Sequence, residues 1–328
     1  MNSDMEFPMN FLGIDVGGTQ IKAGIVDGHG RILQRSAVAT PTTLPEFLDA
    51  FERLVRGVTA SQPVAAAGVA CKGIIGPETR IVSIPGVYRF LEGQLLGSLV
   101  REAVQQDIPV EADNDARVAL VGEMAWGAAK GLRNVVLLTL GTGVGGAALV
   151  EGKLLKGHGG AGGHFGHLTV DPAGPWCNCG NRGCLETFFS AVAIEAEALA
   201  AIRRSSESRL TDEFREHADR LTSADVFRLA EAGDATALHI RDRAVQYLAA
   251  GVAGLVHAFD PEVVILSGRM ADAGACVFDV VNHHVRESTR RIVGRETAVV
   301  ASQLSDPSGI AGAAALAQIR LRDPDALR

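Results

Sequence analysis

The sequence predicts an α/β protein built as two related halves with a central cleft. Three observations carry this. Short apolar runs alternate with amphipathic helical patterns along the chain. A strand, a glycine turn with a Thr, and a second strand occur twice, at Asp15-Val16-Gly17-Gly18-Thr19 and at Gly141-Thr142-Gly143-Val144-Gly145-Gly146. The length, 328 residues, also exceeds what a single core usually serves.

In order, Phe11–Val16, Gln20–Val26 and Arg31–Ala39 read as a meander, with Asp27-Gly28-His29-Gly30 as its second turn. Thr43 opens a helix over Leu44–Thr59, whose Phe47, Leu48, Phe51, Leu54 and Val55 share one face. Val64–Ala70 is a buried strand. Lys72 to Arg89 is a Gly- and Pro-rich loop without a clear period. A helix over Leu91–Gln105, a strand over Ile108–Ala112 and a helix over Ala116–Lys130 follow. Val135–Leu140 and Ala147–Val150 flank the second glycine turn. Helices are then expected over Ser190–Arg204, Ser223–Glu231, Ala235–Phe259 and Phe278–Arg291, with a polar loop at Ser205–Arg209. Strands at Glu262–Leu266 and Ala298–Gln303 precede a closing helix over Ile310–Leu321, opened by Ser308-Gly309.

Composition narrows the function classes. Apolar residues make up 47% and charged residues 21%, as in ordinary globular proteins. A net charge of −7 argues against a nucleic-acid partner. The first ten residues, MNSDMEFPMN, have no apolar core of a secretory signal, and no run of 18 apolar residues exists. A cytoplasmic protein with no membrane partner is expected. Of five cysteines, three fall between positions 177 and 184 beside a histidine. That is metal chemistry in a reducing compartment rather than a disulfide framework. Cys71 and Cys276 read as small apolar residues.

His167, Cys177, Cys179 and Cys184 match a closed tetrahedral zinc site, which leaves no position for a catalytic water. The two glycine turns offer backbone N–H groups to an anion, and Asp15 can hold a hydrated Mg²⁺ that bridges phosphates. Gly141-x-Gly143-x-x-Gly146 has the spacing of a dinucleotide fingerprint, but a strand follows it where that fingerprint opens a helix. Asp113-Asn114-Asp115 ends a strand and begins a helix. Asp115 can take a proton from an attacking hydroxyl and Asn114 can hold a neighbouring one. The plainer reading from spacing is that Asp113 or Asp115 caps the helix.

Together these residues resemble the ROK family (repressors, open reading frames, kinases), from Ile14-Asp15-Val16-Gly17-Gly18-Thr19 to the closing helix. The most specific part is Gly166-His167 with Cys177-x-Cys179-Gly180-x-x-Gly183-Cys184-x-Glu186. The resemblance implies the two-domain actin-like (ribonuclease H-like) ATPase fold with a zinc-stapled loop. The boundaries expected are 1–116 with 311–328 for a smaller N-terminal domain and 117–310 for a larger domain carrying the zinc motif. It implies transfer of the γ-phosphate of ATP, with Mg²⁺, to the 6-hydroxyl of a hexose, glucose by default, with an N-acylmannosamine or other amino sugar as the alternative.

Carried over by the resemblance, Asp115 is the general base. Asn114, His164, His167 and Glu186 are sugar ligands, with His167 binding zinc through its other ring nitrogen. Asp15, Gly17, Gly18 and Thr19, with Thr142 and Gly143, hold phosphates, and Gly268 sits by the adenosine. Family repressors carry a helix-turn-helix domain ahead of the first glycine turn. Only ten residues precede Phe11 here, so the kinase branch is expected, as a homodimer or higher homo-oligomer.

Three positions depart from the family pattern. His164 stands where Glu is usual, and an imidazole offers one acceptor and one donor where a carboxylate can accept twice. That change bears on which sugar is taken, or on whether the protein is a non-catalytic sugar sensor. The alternatives for His164 are a fifth group of the zinc region or a loop histidine with its bonds satisfied. Gly86 replaces part of an Asn-Leu pair. Arg117 replaces an Asn, and is expected either as a surface ion pair or as a cleft-facing cation for a more polar substrate.

Overall fold

A computed structural model describes residues 9–84, 86–204, 207–271, 275–304 and 308–327. Most of the N-terminal stretch searched for a signal, Pro85, and the Ser205-Ser206 start of the polar loop lie outside them. Contacts divide the chain into two compact units. The first takes the chain up to Leu132, then Gly152–Gly162 and Gln303–Arg328. The second takes Arg133–Glu151 and Gly163–Ser302.

The first unit begins with β1 (Asn10–Val16), β2 (Gln20–Asp27) and β3 (Ile32–Ala39), an antiparallel meander. Helix α1 (Leu44–Thr59) follows, with Pro45 in its first turn and the Thr43 hydroxyl bonded to Glu46 at 2.8 Å. Its Phe47, Phe51, Leu54, Val55 and Val58 recur at helical spacing and bury against the sheet core. Strand β4 (Ala66–Cys71) is buried throughout, as a parallel strand covered on both faces must be. The short hairpin β5 (Ile74–Ile75) and β6 (Ile81–Ser83) lies inside the segment expected as an aperiodic loop. Helix α2 (Leu96–Val104), strand β7 (Val110–Asn114) and helix α3 (Asp115–Trp126) complete this part. The sheet order is β3-β2-β1-β4-β7, with β1, β4 and β7 parallel.

The second unit repeats the plan. Strands β8 (Val135–Leu140) and β9 (Val144–Val150) form its antiparallel glycine hairpin, and β10 (Lys153–Leu154) follows the Glu151-Gly152 turn. Next come α4 (Ala191–Arg203), α5 (Arg209–Phe214), α6 (Ser223–Glu231), α7 (Ala235–Phe259), β11 (Val263–Ser267), α8 (Ala275–Val293) and β12 (Ala298–Ala301). Strands β9-β8-β11-β12 are neighbours in that order, with β8, β11 and β12 parallel. An antiparallel hairpin followed by two parallel strands is the order seen in the first unit, which is the duplication expected from the paired glycine turns.

Helix α9 (Ser308–Arg322) returns to the first unit. Its Ile310, Ala314 and Ala317 pack with Phe11, Val26 and Ala66. The approach is close enough to require glycine beneath it. A Cβ on Gly13 would lie 2.0 Å from the Ile310 carbonyl oxygen, and one on Gly68 would lie 1.7 Å from that of Ala313. Helix α3 packs along α9 as well, with a Cβ on Gly122 only 2.9 Å from the Gly312 Cα. That packing groups 117–132 and 303–310 with the first unit, whereas the sequence-based boundaries assigned them to the second domain.

Candidate functional site

The parallel strands of the first unit end in register, with Val16 beside Cys71 and Cys71 beside Asn114. Gly17, Lys72 and Asp115 are the next residues along the three chains. Asn114 caps α3: its Oδ1 accepts from the Ala116 N–H at 3.0 Å, and its Nδ2 donates to the Gly73 carbonyl at 3.0 Å. The cap expected from Asp113 or Asp115 thus falls mainly to the residue between them, although Asp115 Oδ1 also accepts from Ala116 at 2.9 Å. Asp115 is exposed at the start of α3, where the helix N-terminus favours a carboxylate. Burial pushes the Cys71 thiol up, and the nearby charges of Asp115 and Asp15 push it further. Both carboxylates therefore flank the end of β4.

The first glycine turn is closed by Gly17 N–H to the Gln20 carbonyl at 3.1 Å, and the Thr40 hydroxyl donates to the Gly17 carbonyl at 2.8 Å. The Tyr88 hydroxyl bonds the Gly18 carbonyl. Gly18 and Thr19 are exposed at the tip. Asp15 lies under the start of α9, where a Cβ on Gly309 would be 2.6 Å from its carboxylate.

Arg117 follows neither sequence expectation. It is 2% exposed and committed within the first unit. Its Nε and Nη2 both reach Asp113 Oδ1 at 2.7 Å, and its Nη1 donates to the carbonyls of Gly160 and Gly162 at 3.0 Å each. Asp113 Oδ2 is buried and faces the Lys156 ammonium at 3.2 Å. This group fastens the glycine-rich segment 157–162 to the first turn of α3 and leaves Arg117 no donor pattern for an anionic substrate.

In the second unit the four residues expected as metal ligands converge. One ligand atom from each of His167, Cys177, Cys179 and Cys184 lies within 4.8 Å of the others. His167 Nδ1 is 3.5 Å from Cys177 Sγ, and Cys179 Sγ is 3.6 Å from Cys184 Sγ. Edges of about 3.6–3.8 Å are what a tetrahedron with Zn–N near 2.05 Å and Zn–S near 2.3 Å demands. Burial pushes the Cys184 thiol up to about 12, and burial also raises Cys177, whereas the Asn181 amide holds Cys179 below the usual thiol value. A divalent cation supplies the charge that ionises such a set. His164 stands outside this group, exposed, with its ring centroid 6.3 Å from that of His167.

The metal loop is docked on the second glycine hairpin at two places. A Cβ on Gly166 would lie 2.0 Å from the Val144 carbonyl oxygen. Glu186 Oε2 accepts the Val144 N–H at 2.9 Å, and a Cβ on Gly143 would lie 2.3 Å from that oxygen. Gly143 thus makes room for Glu186, whereas Gly141 has open space around it. Thr142 is exposed beside a cavity of about 770 Å³, whose wall also includes Val192, Phe227, Arg269 and Met270. Gly268 turns the chain there at φ +94°, and the Met270 N–H donates to the Leu140 carbonyl at 3.2 Å.

The structure therefore gathers Asp15, Gly17, Gly18, Thr19, Asn114 and Asp115 in the first unit, and His164, His167, Glu186, Thr142, Gly143 and Gly268 around the His/Cys loop and the hairpin of the second. Sequence reading missed the cavity wall, which α4, α6 and the turn after β11 build from distant segments. It also passed over Lys72, which no local period marks.

Two sheets of one topology, each opened by a glycine hairpin, define the actin-like ATPase fold. Structures of that fold agree. A ROK family glucokinase from Streptomyces griseus, solved with glucose and AMPPNP, matches with a TM-score of 0.77 and 32% identity, over 94% of this chain and 99% of its own. A glucokinase of Thermotoga maritima is 34% identical, over 95% of this chain and 98% of its own. An N-acetylmannosamine kinase of Escherichia coli O157:H7 is 32% identical, over 94% and 99%. The ROK family pattern matches residues 11–320, and the chain belongs to that family.

Proposed function

We propose that the protein is an ATP-dependent sugar kinase that phosphorylates the 6-hydroxyl of a hexose, with glucose the substrate. The observation that carries this is the exposed Asp115 carboxylate, one strand-end removed from Lys72 and two from the Gly17 turn, in a chain whose glucokinase relatives align along nearly its whole length. Asp115 orients the hydroxyl and takes its proton as the oxygen attacks the γ-phosphorus. Asn114, held by its cap and by Gly73, keeps one lone pair and one N–H for a neighbouring hydroxyl. Gly17, Gly18, Thr19, Thr142 and Gly143 hold phosphates, and Gly268 and the cavity wall take the nucleoside. Asp15 would hold a hydrated Mg²⁺, which would supply neutralising charge to the phosphates.

His167, Cys177, Cys179 and Cys184 hold a structural zinc ion. Their docking on β9 keeps His164, His167 and the free oxygen of Glu186 in place for sugar hydroxyls. Three unbridged thiols fit a cytoplasmic protein.

A coupled assay of ATP consumption over glucose, mannose, N-acetylglucosamine and N-acetylmannosamine tests the reading. Glucose should give the highest kcat/KM, and Asp115→Asn should lower kcat by about 10²–10⁴-fold with zinc content unchanged. Absence of sugar-dependent turnover in folded, zinc-loaded protein overturns it. His164, in the place of a carboxylate, is the specific reason to include the amino sugars. A higher kcat/KM on N-acetylmannosamine would move the assignment to an amino-sugar kinase.

A further inference from the structure

Between the first glycine turn and the proposed base, one register step past the ends of β1, β4 and β7, stands a lysine. Val16, Cys71 and Asn114 are aligned across the three strands, so Gly17, Lys72 and Asp115 begin the loops that leave the same edge. Adjacent strands run about 4.8 Å apart, which puts the backbone of Lys72 about one strand spacing from each of the other two. The Gly73 carbonyl, next in sequence, is held by Asn114 Nδ2 at 3.0 Å, so this backbone is fixed to the α3 cap.

Two carboxylates stand near this edge: Asp15 and Asp115 both act on the Cys71 thiol at the end of β4. The neighbouring cations are committed elsewhere. Arg117 spends its donors on Asp113 and two carbonyls, and Lys156 pairs with Asp113. Lys22 stands opposite Asp15 across β1 and β2. Lys72 is exposed, and its ammonium forms no hydrogen bond or ion pair with the described residues.

We infer that Lys72 is a catalytic residue whose ammonium binds the transferring phosphoryl group. The inference rests on the kinase reading above. In the transfer, the bond from the sugar hydroxyl oxygen to the γ-phosphorus forms as the bond to the β,γ-bridging oxygen breaks. The hydroxyl proton goes to Asp115, and the electron pair of the broken bond leaves on ADP. Negative charge on the γ-oxygens then lies between two strand ends that otherwise present carboxylates. A flexible stem ending in a compact point charge can follow those oxygens from ground state to product, and a cation placed where charge develops acts on kcat more than on sugar binding.

Steady-state kinetics of the zinc-loaded wild type, Lys72→Met, Lys72→Ala and Lys72→Arg test this. Lys72→Met should lower kcat by about 10²-fold, with the sugar KM, zinc content and melting temperature near wild type. Lys72→Arg should recover part of the loss. Ethylammonium should raise the kcat of Lys72→Ala saturably and leave wild type unmoved, which a merely structural lysine would not show. A wild-type kcat in Lys72→Met, or a loss that follows melting temperature and is not rescued, overturns the assignment while the kinase reading stands. A wild type inactive on every sugar overturns both.

Discussion

Asp115 and Arg117 lie two positions apart in the first turn of α3 and have opposite fates. Asp115 is exposed, and its carboxylate keeps an oxygen for a ligand. Arg117 turns inward and is among the largest fully buried side chains of the protein. A guanidinium survives such burial because Asp113 neutralises it and two glycine carbonyls complete its hydrogen bonds. Removing one partner alone is costly. Arg117→Met leaves the Asp113 carboxylate buried with the Asn114 N–H on Oδ1 and the half-exposed Lys156 ammonium near Oδ2, and should cost about 3–5 kcal/mol in denaturant unfolding. The double variant Asp113→Asn with Arg117→Met should recover a large part of that loss. Strict additivity of the two single changes would show that the pair is not coupled. The side on which Arg117 would fall was not legible from the sequence. Spacing puts it one turn from Asp113, but the carbonyls that select the inward conformation come from residues 160 and 162, more than forty positions along.

At the scale of elements, the metal loop and the second glycine hairpin form one device. The 3₁₀ turn Phe165–His167 lies on β9, and Glu186, two residues past the last thiolate, grips the Val144 amide. Loss of the metal should therefore loosen the turn that carries Thr142 as well as the loop itself. Proton competition sets its pH dependence. The Cys184 thiol is pushed up to about 12 and Cys177 is raised, so without metal both are protonated at neutral pH. Zinc must displace those protons, and its affinity should fall steadily as pH falls from 8 to 6, by about tenfold per pH unit for each proton released. Competition with a chromophoric chelator across that range measures it. A flat profile would mean that the thiols are already ionised. The loop's His and Cys cluster was legible because liganding residue types at a tight spacing need no fold to be recognised. Its attachment to β9 was not, since Gly143 and Gly146 read equally well as phosphate turns.

For the whole molecule, the notable feature is that the first unit is discontinuous. Its sheet is formed from the N-terminal part of the chain, yet the helix that packs on Gly13 and Gly68 comes from the C-terminal residues 308–322. The two glycines let α9 sit almost against the strand backbone, so their replacement acts on the whole unit. Gly68→Ala forces a Cβ to within 1.7 Å of the Ala313 carbonyl oxygen unless the helix shifts. The change should destabilise the protein by about 1–3 kcal/mol, the usual cost of overpacking, whereas Gly57→Ala on exposed α1 surface should be neutral or mildly stabilising. Thermal denaturation of both variants checks this, and equal melting temperatures would contradict the packing argument. Contacts of such long range complete the core of the first unit only when residues 308–322 dock on the sheet.

Much was settled by the sequence alone. The alternation of strands and helices, the repeated hairpin, the His-and-three-Cys cluster and the Asn114-Asp115 turn are all carried by neighbouring residues, and local periodicity or side-chain chemistry suffices to read them. The tertiary structure decided which charges are spent and which are free. Arg117 is consumed, Glu186 is half consumed by Val144, and Lys72 has no ion pair among the described residues. The physical reason is that an ion pair or a buried hydrogen bond depends on groups brought together from distant segments, and no spacing in a single stretch records who those partners will be.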